Sequence, residues 1–170
     1  MFTYENLRFV EVTPEDLPLL MKLRNAPESW SGTRDAFSIQ TPAQQEAWYR
    51  SLHGEHEMAF MIQDGAKKVG MIRVGNVELK TRSIGLTGLQ IFPNQSGKGY
   101  GSKAMRGAAV WAIRELGFHR VTAEALDTNV GAQKAIIKAG FTYEGEKRSY
   151  VFRSGVWHNF LQYSILEEEL

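Results

Sequence analysis

The feature that most constrains the fold of this chain is a strand-like run that meets a helix at a glycine-rich corner. The run covers residues 82–92, and Gly97, Gly99 and Gly101 follow it at alternate positions. Apolar side chains then recur at helical spacing as far as Leu116. Glycines let backbone N–H groups turn toward a ligand, and the positive end of the helix dipole attracts negative charge. The corner therefore predicts a phosphate-binding turn.

The rest of the chain places this corner in a mixed sheet. Thr13 and Thr41, each followed by proline, predict the starts of two early helices. Asp64-Gly65 is typical of a hairpin between two strand-like runs. The predicted order is strand, two helices, three strands, helix, strand, helix and two strands. This order predicts one α/β (α+β) domain over residues 1–170, with a single mixed, mostly antiparallel sheet flanked by helices.

Composition excludes several classes of function. The chain has no cysteine, which excludes disulfides, thiolate catalysis and cysteine-ligated metals. Because 20 basic side chains balance 19 acidic ones, we expect no nucleic-acid surface. Of the four histidines, only His53 and His56 lie near each other, so no metal is expected. The first residues do not resemble a signal peptide, and no apolar run is long enough to span a membrane. We therefore expect a cytoplasmic protein.

Two phosphate-binding motifs do not fit the corner. A nucleotide P-loop needs G-x-x-x-x-G-K-[ST], and GKGYGSK has the wrong interval before its Gly-Lys pair. A dinucleotide fingerprint needs G-x-G-x-x-G in an early βαβ unit and an acidic residue about 20 positions later. Here the spacing is G-x-G-x-G, three predicted strands precede it, and Arg120 stands at that distance.

A third pattern does fit. The stretch PNQSGKGYGSKAM resembles the pyrophosphate turn of the GNAT acetyltransferase superfamily. Downstream, LGFHRVTAEALDTNVGAQKAIIKAGFTYEGEKR is similar to that family's strand, asparagine, helix and Gly-Phe start of the next strand. The resemblance runs from residue 82 to the end, whereas residues 1–81 agree only in the order of their elements. It implies a GNAT-like acyl-CoA N-acyltransferase fold and an N-acetyltransferase that uses acetyl-CoA.

The resemblance also implies a set of cofactor contacts. Backbone amides of the glycine-rich corner and the start of its helix would hold the pyrophosphate. The pantetheine arm would pair like an extra strand with the strand before the corner. The predicted cofactor-binding residues are Leu89, Ile91, Phe92, Ser96, Gly97, Lys98, Gly99, Tyr100, Gly101, Ser102, Asn129 and Lys134.

Two local features bear on this assignment. Gly85 and Gly88 predict a β-bulge or a close approach in the strand before the corner. The family usually has arginine or glutamine at the position of Ser96, whereas the glutamine of this chain is Gln95. Because backbone amides do most of the binding, this departure affects a side-chain contact rather than the turn. Lys103 is a further candidate for the cofactor's phosphates.

The catalytic residues are harder to assign. By the resemblance, many family members carry a tyrosine seven residues after the asparagine as general acid, and one branch uses a serine three residues after it. These positions are Ile136 and Ala132 here. Tyr150 and Glu124 are then the expected candidates, with Tyr150 first as the proton donor. A backbone N–H near Ile91 would polarise the thioester carbonyl.

The acceptor stays open between two kinds of primary amine. The stretch EGEKRSYVFRSGVWHNFLQYSIL resembles the branch of ribosomal-protein amino-terminal and nucleotide-amino-sugar acetyltransferases. We therefore expect a protein amino terminus or an amino sugar, selected by the loop from Trp30 to Phe37. The missing family acids favour an alternative, a noncatalytic acyl-CoA-binding or regulatory module. A nucleotide-binding domain is a more distant alternative. Residue patterns leave the oligomeric state open, and a homodimer is one expectation.

Overall fold

The computed structural model describes residues 1–26, 39–52 and 57–170. Eight strands, four α-helices and three short 3-10 helices lie within these ranges. The strands are β1 (Phe2–Tyr4), β2 (Leu7–Glu11), β3 (Glu57–Asp64), β4 (Lys67–Glu78), β5 (Ser83–Ile91), β6 (Arg120–Leu126), β7 (Thr142–Arg153) and β8 (Val156–Leu166). The helices are α1 (Leu17–Asn25), α2 (Pro42–Ser51), α3 (Tyr100–Arg114) and α4 (Val130–Lys138).

The described strands form one sheet in the order β1-β2-β3-β4-β5-β6-β8-β7. The pairing of β5 with β6 is parallel, and the other pairings of these strands are antiparallel. This arrangement confirms the predicted single mixed sheet flanked by helices. Strand β1 is absent from the predicted order because three residues are too few to show alternation. Tertiary packing fixes it, since Phe2 stacks on Phe9 and on Trp111 with ring centroids 4.2 and 4.5 Å apart.

Different helices cover the two faces of the sheet. On the α3 face, helices α3 and α4 enclose the larger core, to which β4 contributes Ile72 and Val74. Small side chains on α3 allow close contact with the sheet. On the α1 face, helices α1 and α2 cover a smaller core that includes Met61, Met71 and Phe92. Side chains that alternate along a strand therefore point to different cores.

The sheet opens between its two parallel strands. Strand β5 pairs with β6 only from Ser83 to Leu86, opposite Arg120 to Ala123. On the β4 side, Leu86 and Gly88 have partners but Thr87 does not, so Thr87 is a bulge. The sequence predicted a bulge at this point from its glycines. Beyond it, the second half of β5 has β4 on one edge and a gap on the other.

Candidate active site

The glycine turn, residues 96–101, has a backbone that only glycine adopts easily. Gly97 and Gly99 have φ values of 77° and 81°, in the left-handed region. A Cβ atom at either position would meet nothing within 4 Å. Packing does not demand glycine here, but backbone geometry does. The space in front of the turn is therefore open to a ligand.

Several backbone amides of the turn have no hydrogen-bond acceptor within residues 1–26, 39–52 and 57–170. The Ser96 amide donates to the Pro93 carbonyl at 3.2 Å, and that of Lys103 donates to Gly99 at 3.2 Å. Between them, the amides from Gly97 to Ser102 have no hydrogen-bond acceptor among the residues that the structure describes. They include the first amides of α3, which a helix cannot satisfy internally. This arrangement suits an anionic ligand such as a pyrophosphate.

Side chains of the turn hold it in place. The Tyr100 hydroxyl donates to Asp64 Oδ2 at 2.7 Å, which ties the start of α3 to the β3–β4 hairpin. That hydrogen bond raises the pKa of the Tyr100 phenol and lowers the pKa of the Asp64 carboxyl. Gln95 is buried and accepts from Lys98 Nζ at 3.1 Å. Gln95, which stands one residue before the family's usual glutamine position, therefore stabilises the turn from its buried side.

The open edge of β5 leads from the turn to the gap. The Phe92 amide donates to the Val69 carbonyl at 2.9 Å, so it faces β4. Because backbone groups alternate along a strand, Leu89 and Ile91 turn their N–H and C=O groups to the gap. The Phe92 side chain is buried in the α1-face core. Of Leu89, Ile91 and Phe92, the residues predicted to contact the pantetheine arm, Leu89 and Ile91 therefore turn their backbone groups toward an extended ligand in the gap.

Asn129 and Lys134 lie on the far side of the gap. The Asn129 side chain accepts from the Ala132 amide at 3.0 Å and caps α4. Lys134 is exposed on the same helix. Before the cap, Asp127 accepts from the Asn159 amide at 2.9 Å and meets His158 Nδ1 at 3.2 Å. The backbone hydrogen bond from Asn159 is the main cause that lowers the pKa of Asp127.

A basic cavity of about 290 Å³ adjoins the glycine turn. Lys98 and Lys103, the candidates for contacts with the cofactor's phosphates, both line it, and Lys103 forms an ion pair with Glu5 at 2.9 Å. Arg106 and Lys138 add two more basic side chains to the lining, which also includes Glu5. Sequence reasoning missed both, although Arg106 follows Ser102 by one helical turn. A second cavity of about 260 Å³ lies at the start of β3, away from the turn.

The predicted catalytic residues meet on the α1 face beside β6. Glu124 points away from the α3-face core, because its neighbours Ala123 and Ala125 belong to that core. Its carboxylate accepts from Lys147 Nζ at 2.5 Å. The same ammonium group lies 4.9 Å from the centre of the Tyr150 ring. We call these three residues the Lys147 cluster.

A second polar group faces it across the gap. Arg73 Nη1 donates to the Glu57 carboxylate at 3.2 Å, and the Thr87 hydroxyl donates to the same carboxylate at 2.5 Å. Arg73 Nη2 also donates to the Thr87 carbonyl at 3.3 Å. We call these residues the Glu57 network. Sequence reasoning missed it, although an arginine within the apolar run of β4 was a usable signal.

Comparison with known proteins identifies the family. The acetyltransferase (GNAT) domain family matches residues 6–142. The chain belongs to this family. "Probable N-acetyltransferase YjcK" of Bacillus subtilis (strain 168) is 26% identical over 170 residues, which is 96% of this chain and 94% of the relative. A second relative from the same organism carries the name "Putative ribosomal N-acetyltransferase YdaF". It is 30% identical over 121 residues, which cover 71% of this chain and 64% of YdaF.

A solved structure shows the same fold. The spermidine N-acetyltransferase from Vibrio cholerae in complex with CoA and spermine superposes with a TM-score of 0.86 at 20% identity. The match covers 96% of this chain and 97% of that one. Together with the family, it confirms the predicted GNAT fold and an N-acetyltransferase that uses acetyl-CoA. The predicted branch within the superfamily stays a prediction.

The geometry of this GNAT domain suits acetyl-CoA. The free amides of the glycine turn would receive the pyrophosphate, and the open edge of β5 would pair with the pantetheine arm. Acetyl-CoA supplies an activated acetyl group. The described residues contain no group of three His, Asp or Glu side chains that could hold a metal ion. The predicted acceptor loop from Trp30 to Phe37, and His53 and His56, lie outside the described residues.

Proposed function

We propose that this GNAT acetyltransferase moves an acetyl group to a primary amine by direct attack in a ternary complex. One observation carries the proposal. The free amides of the glycine turn continue into the open edge of β5, and that edge ends at the bulge where the sheet opens. A thioester extended along this edge would be reached from the α1 face. Holding two reactants in this way supplies much of the acceleration of acyl transfer.

The chain's own groups support the chemistry. The Ile91 N–H faces the gap and would polarise the thioester carbonyl. Tyr150 would return a proton to the departing thiolate. Glu124 would act through Lys147, which lies between its carboxylate and the Tyr150 ring. Ile136 is buried in the α3-face core and has no acidic proton to donate. It therefore cannot replace the tyrosine of other family members.

We propose a protein amino terminus or an amino sugar as the acceptor. The name of YdaF supports the first. The likeness to the spermidine enzyme raises a polyamine as a second candidate. A polyamine needs uncompensated carboxylates, yet Glu57 is paired with Arg73 and Glu124 with Lys147. In the part of the α1 face that the structure describes, these pairs favour an acceptor of low charge.

A panel of amines tests the proposal. Thiol release from acetyl-CoA would be measured with a peptide that has a free amino terminus, a nucleotide amino sugar and spermidine. We expect release with one of the first two. Release with spermidine alone would reassign the acceptor. Binding of CoA without thiol release would establish the noncatalytic alternative, and thermal stabilisation by ATP or NAD but not by CoA would favour a nucleotide-binding domain.

The Tyr150→Phe variant tests the proton donor. Removal of the hydroxyl should lower kcat by about 100-fold, the usual size of a lost acid or base. The Kd of CoA should stay within about twofold, because the pyrophosphate contacts are elsewhere. Tyr143→Phe is the matched control, since Tyr143 is also an exposed tyrosine of β7. An unchanged kcat for Tyr150→Phe would remove it from the mechanism.

We also propose a cellular location, a domain organisation and an oligomeric state for this protein. No helix in the described part of the chain is long and apolar enough to cross a membrane. We propose a cytoplasmic protein with one domain over residues 1–170 that acts as a homodimer. Cell fractionation and light scattering of the purified chain would check the two claims.

A further inference from the structure

The Glu57 network has a position that a purely structural ion pair does not explain. Its three residues come from three neighbouring strands, β3, β4 and β5. Glu57 and Arg73 point away from the α3-face core, because Ile72 and Val74 beside Arg73 belong to that core. Thr87 is the bulged residue of β5, at the point where the sheet opens. The network therefore borders the place where a thioester on β5 would end.

The network is neither buried nor fully exposed. The side chains of Arg73 and Glu57 are 31% and 27% exposed. A surface ion pair of this kind contributes little stability by itself. The hydrogen bonds nevertheless fix the carboxylate on two sides, through Arg73 and through the Thr87 hydroxyl. A fixed carboxylate that solvent and small solutes can reach has the properties of a proton acceptor.

The surroundings of Gly88 support a role for the Glu57 network beyond stability. A Cβ atom at Gly88 would lie 2.8 Å from both Nε and Nη2 of Arg73. The φ of Gly88 is not in the left-handed region, so backbone strain does not require glycine there. The absence of a side chain makes room for the guanidinium. Gly88, beside the bulge, therefore leaves space for the Arg73 side chain, and Arg73 in turn holds the Glu57 carboxylate in position.

We propose that Glu57 accepts the proton of the attacking amine through the hydroxyl of Thr87, with Arg73 as the positioning residue. This inference rests on the proposed function. As the N–C bond forms, the amine nitrogen gives one proton to Thr87 Oγ1. The Thr87 hydroxyl proton passes to the Glu57 carboxylate. The C–S bond breaks with its electron pair on sulfur, which takes a proton from Tyr150. Glu57 and Tyr150 then exchange protons with water.

The two polar groups thereby divide the proton transfers. The Glu57 network lies on the β5 side of the gap and accepts a proton. The Lys147 cluster lies on the β6 side and gives one. The division also gives two of the three residues of the network, Glu57 and Thr87, a direct chemical role.

Kinetics of four variants and one control variant test the inference. With the amine found in the panel, Glu57→Gln and Thr87→Val should each lower kcat by about 100-fold, while the Kd of CoA stays within about twofold. Thr87→Ser keeps the hydroxyl and should stay within about threefold of the natural chain. The double variant Glu57→Gln/Thr87→Val should be no slower than the slower single one, because the two residues act as a unit. Glu46→Gln, in an exposed ion pair with Arg50 on α2, is the control and should keep full activity.

Chemical rescue separates catalysis from structure. Glu57→Ala leaves Arg73 beside an empty site, and added formate should restore at least about a tenth of the lost kcat. Retained kcat in Glu57→Gln, multiplied losses in the double variant, or no rescue by formate would each overturn the inference. These outcomes differ from failure of the proposed function, in which the natural chain itself transfers no acetyl group to any amine.

Discussion

The glycine turn and the Glu57 network lie at opposite ends of the exposed half of β5, and they are built in different ways. The turn consists of consecutive residues and presents backbone amides, several of which have no acceptor in the described part of the chain. The network consists of side chains from three strands, each satisfied by another. A phosphate site can be made locally because backbone donors need only a turn. A proton acceptor near a reacting atom needs a side chain from elsewhere to hold it.

The largest expected effect distinguishes ligand binding from backbone strain in the turn. Gly99→Val should raise the Kd of CoA by about 100-fold, because the new side chain enters the ligand space and disturbs charge-assisted hydrogen bonds. Gly155→Val is the matched control. Gly155 has the same φ of 81° and also meets nothing within 4 Å of a Cβ. Both variants should lose about 1–2 kcal/mol of stability from the left-handed backbone. Calorimetry with CoA would separate them, and equal affinity in the two variants would contradict a ligand at the turn.

A smaller effect is expected at the other end of β5. In Gly88→Ala the methyl group displaces the guanidinium of Arg73, so kcat should fall by about tenfold. This loss is smaller than the one expected when Glu57 itself is replaced, because the carboxylate is still present but less well positioned. Affinity for CoA should not change. Gly85→Ala is the control on the same strand, since its Cβ would meet Thr122 Oγ1 at 3.2 Å rather than Arg73. Steady-state rates and calorimetry on both variants would check the difference. A change in CoA affinity without a change in kcat would show that the two ends of β5 are not independent.

The smallest effect concerns the loop that joins β6 to α4. The pKa of Asp127 is lowered in the folded chain, mainly by the backbone hydrogen bond from Asn159. A lowered pKa contributes stability above the ordinary pKa of aspartate, and that stability is lost as the pH falls through the folded pKa. Asp127→Ala should therefore lower stability by about 1 kcal/mol at neutral pH, the size of a lost hydrogen bond. The difference should shrink in acid. Thermal unfolding as a function of pH would measure it, and a constant difference would contradict a role for the charge.

How far sequence reasoning reached depended on how local each feature is. It predicted β5, the turn, α3, the bulge and the acetyl-CoA family, since the glycines, the proline caps and the periodicity all lie in short stretches. It named Tyr150 and Glu124 but not their connection, because Lys147 contacts both only after β7 pairs with β8 and β8 pairs with β6. It missed Arg106 and Lys138, which only the packing of α3 and α4 brings to one cavity.

The Glu57 network shows most clearly what sequence reasoning could not predict. Glu57 is 16 residues from Arg73 and 30 from Thr87 in the chain, so no motif connects them. Strand pairing connects them, because β3, β4 and β5 are neighbours in the sheet. The sequence itself determined the glycine turn, whose backbone suits an anionic ligand, since neighbouring residues set that backbone conformation. Only the tertiary structure decided which carboxylate faces the gap, because side chains meet across a sheet only when distant strands pair.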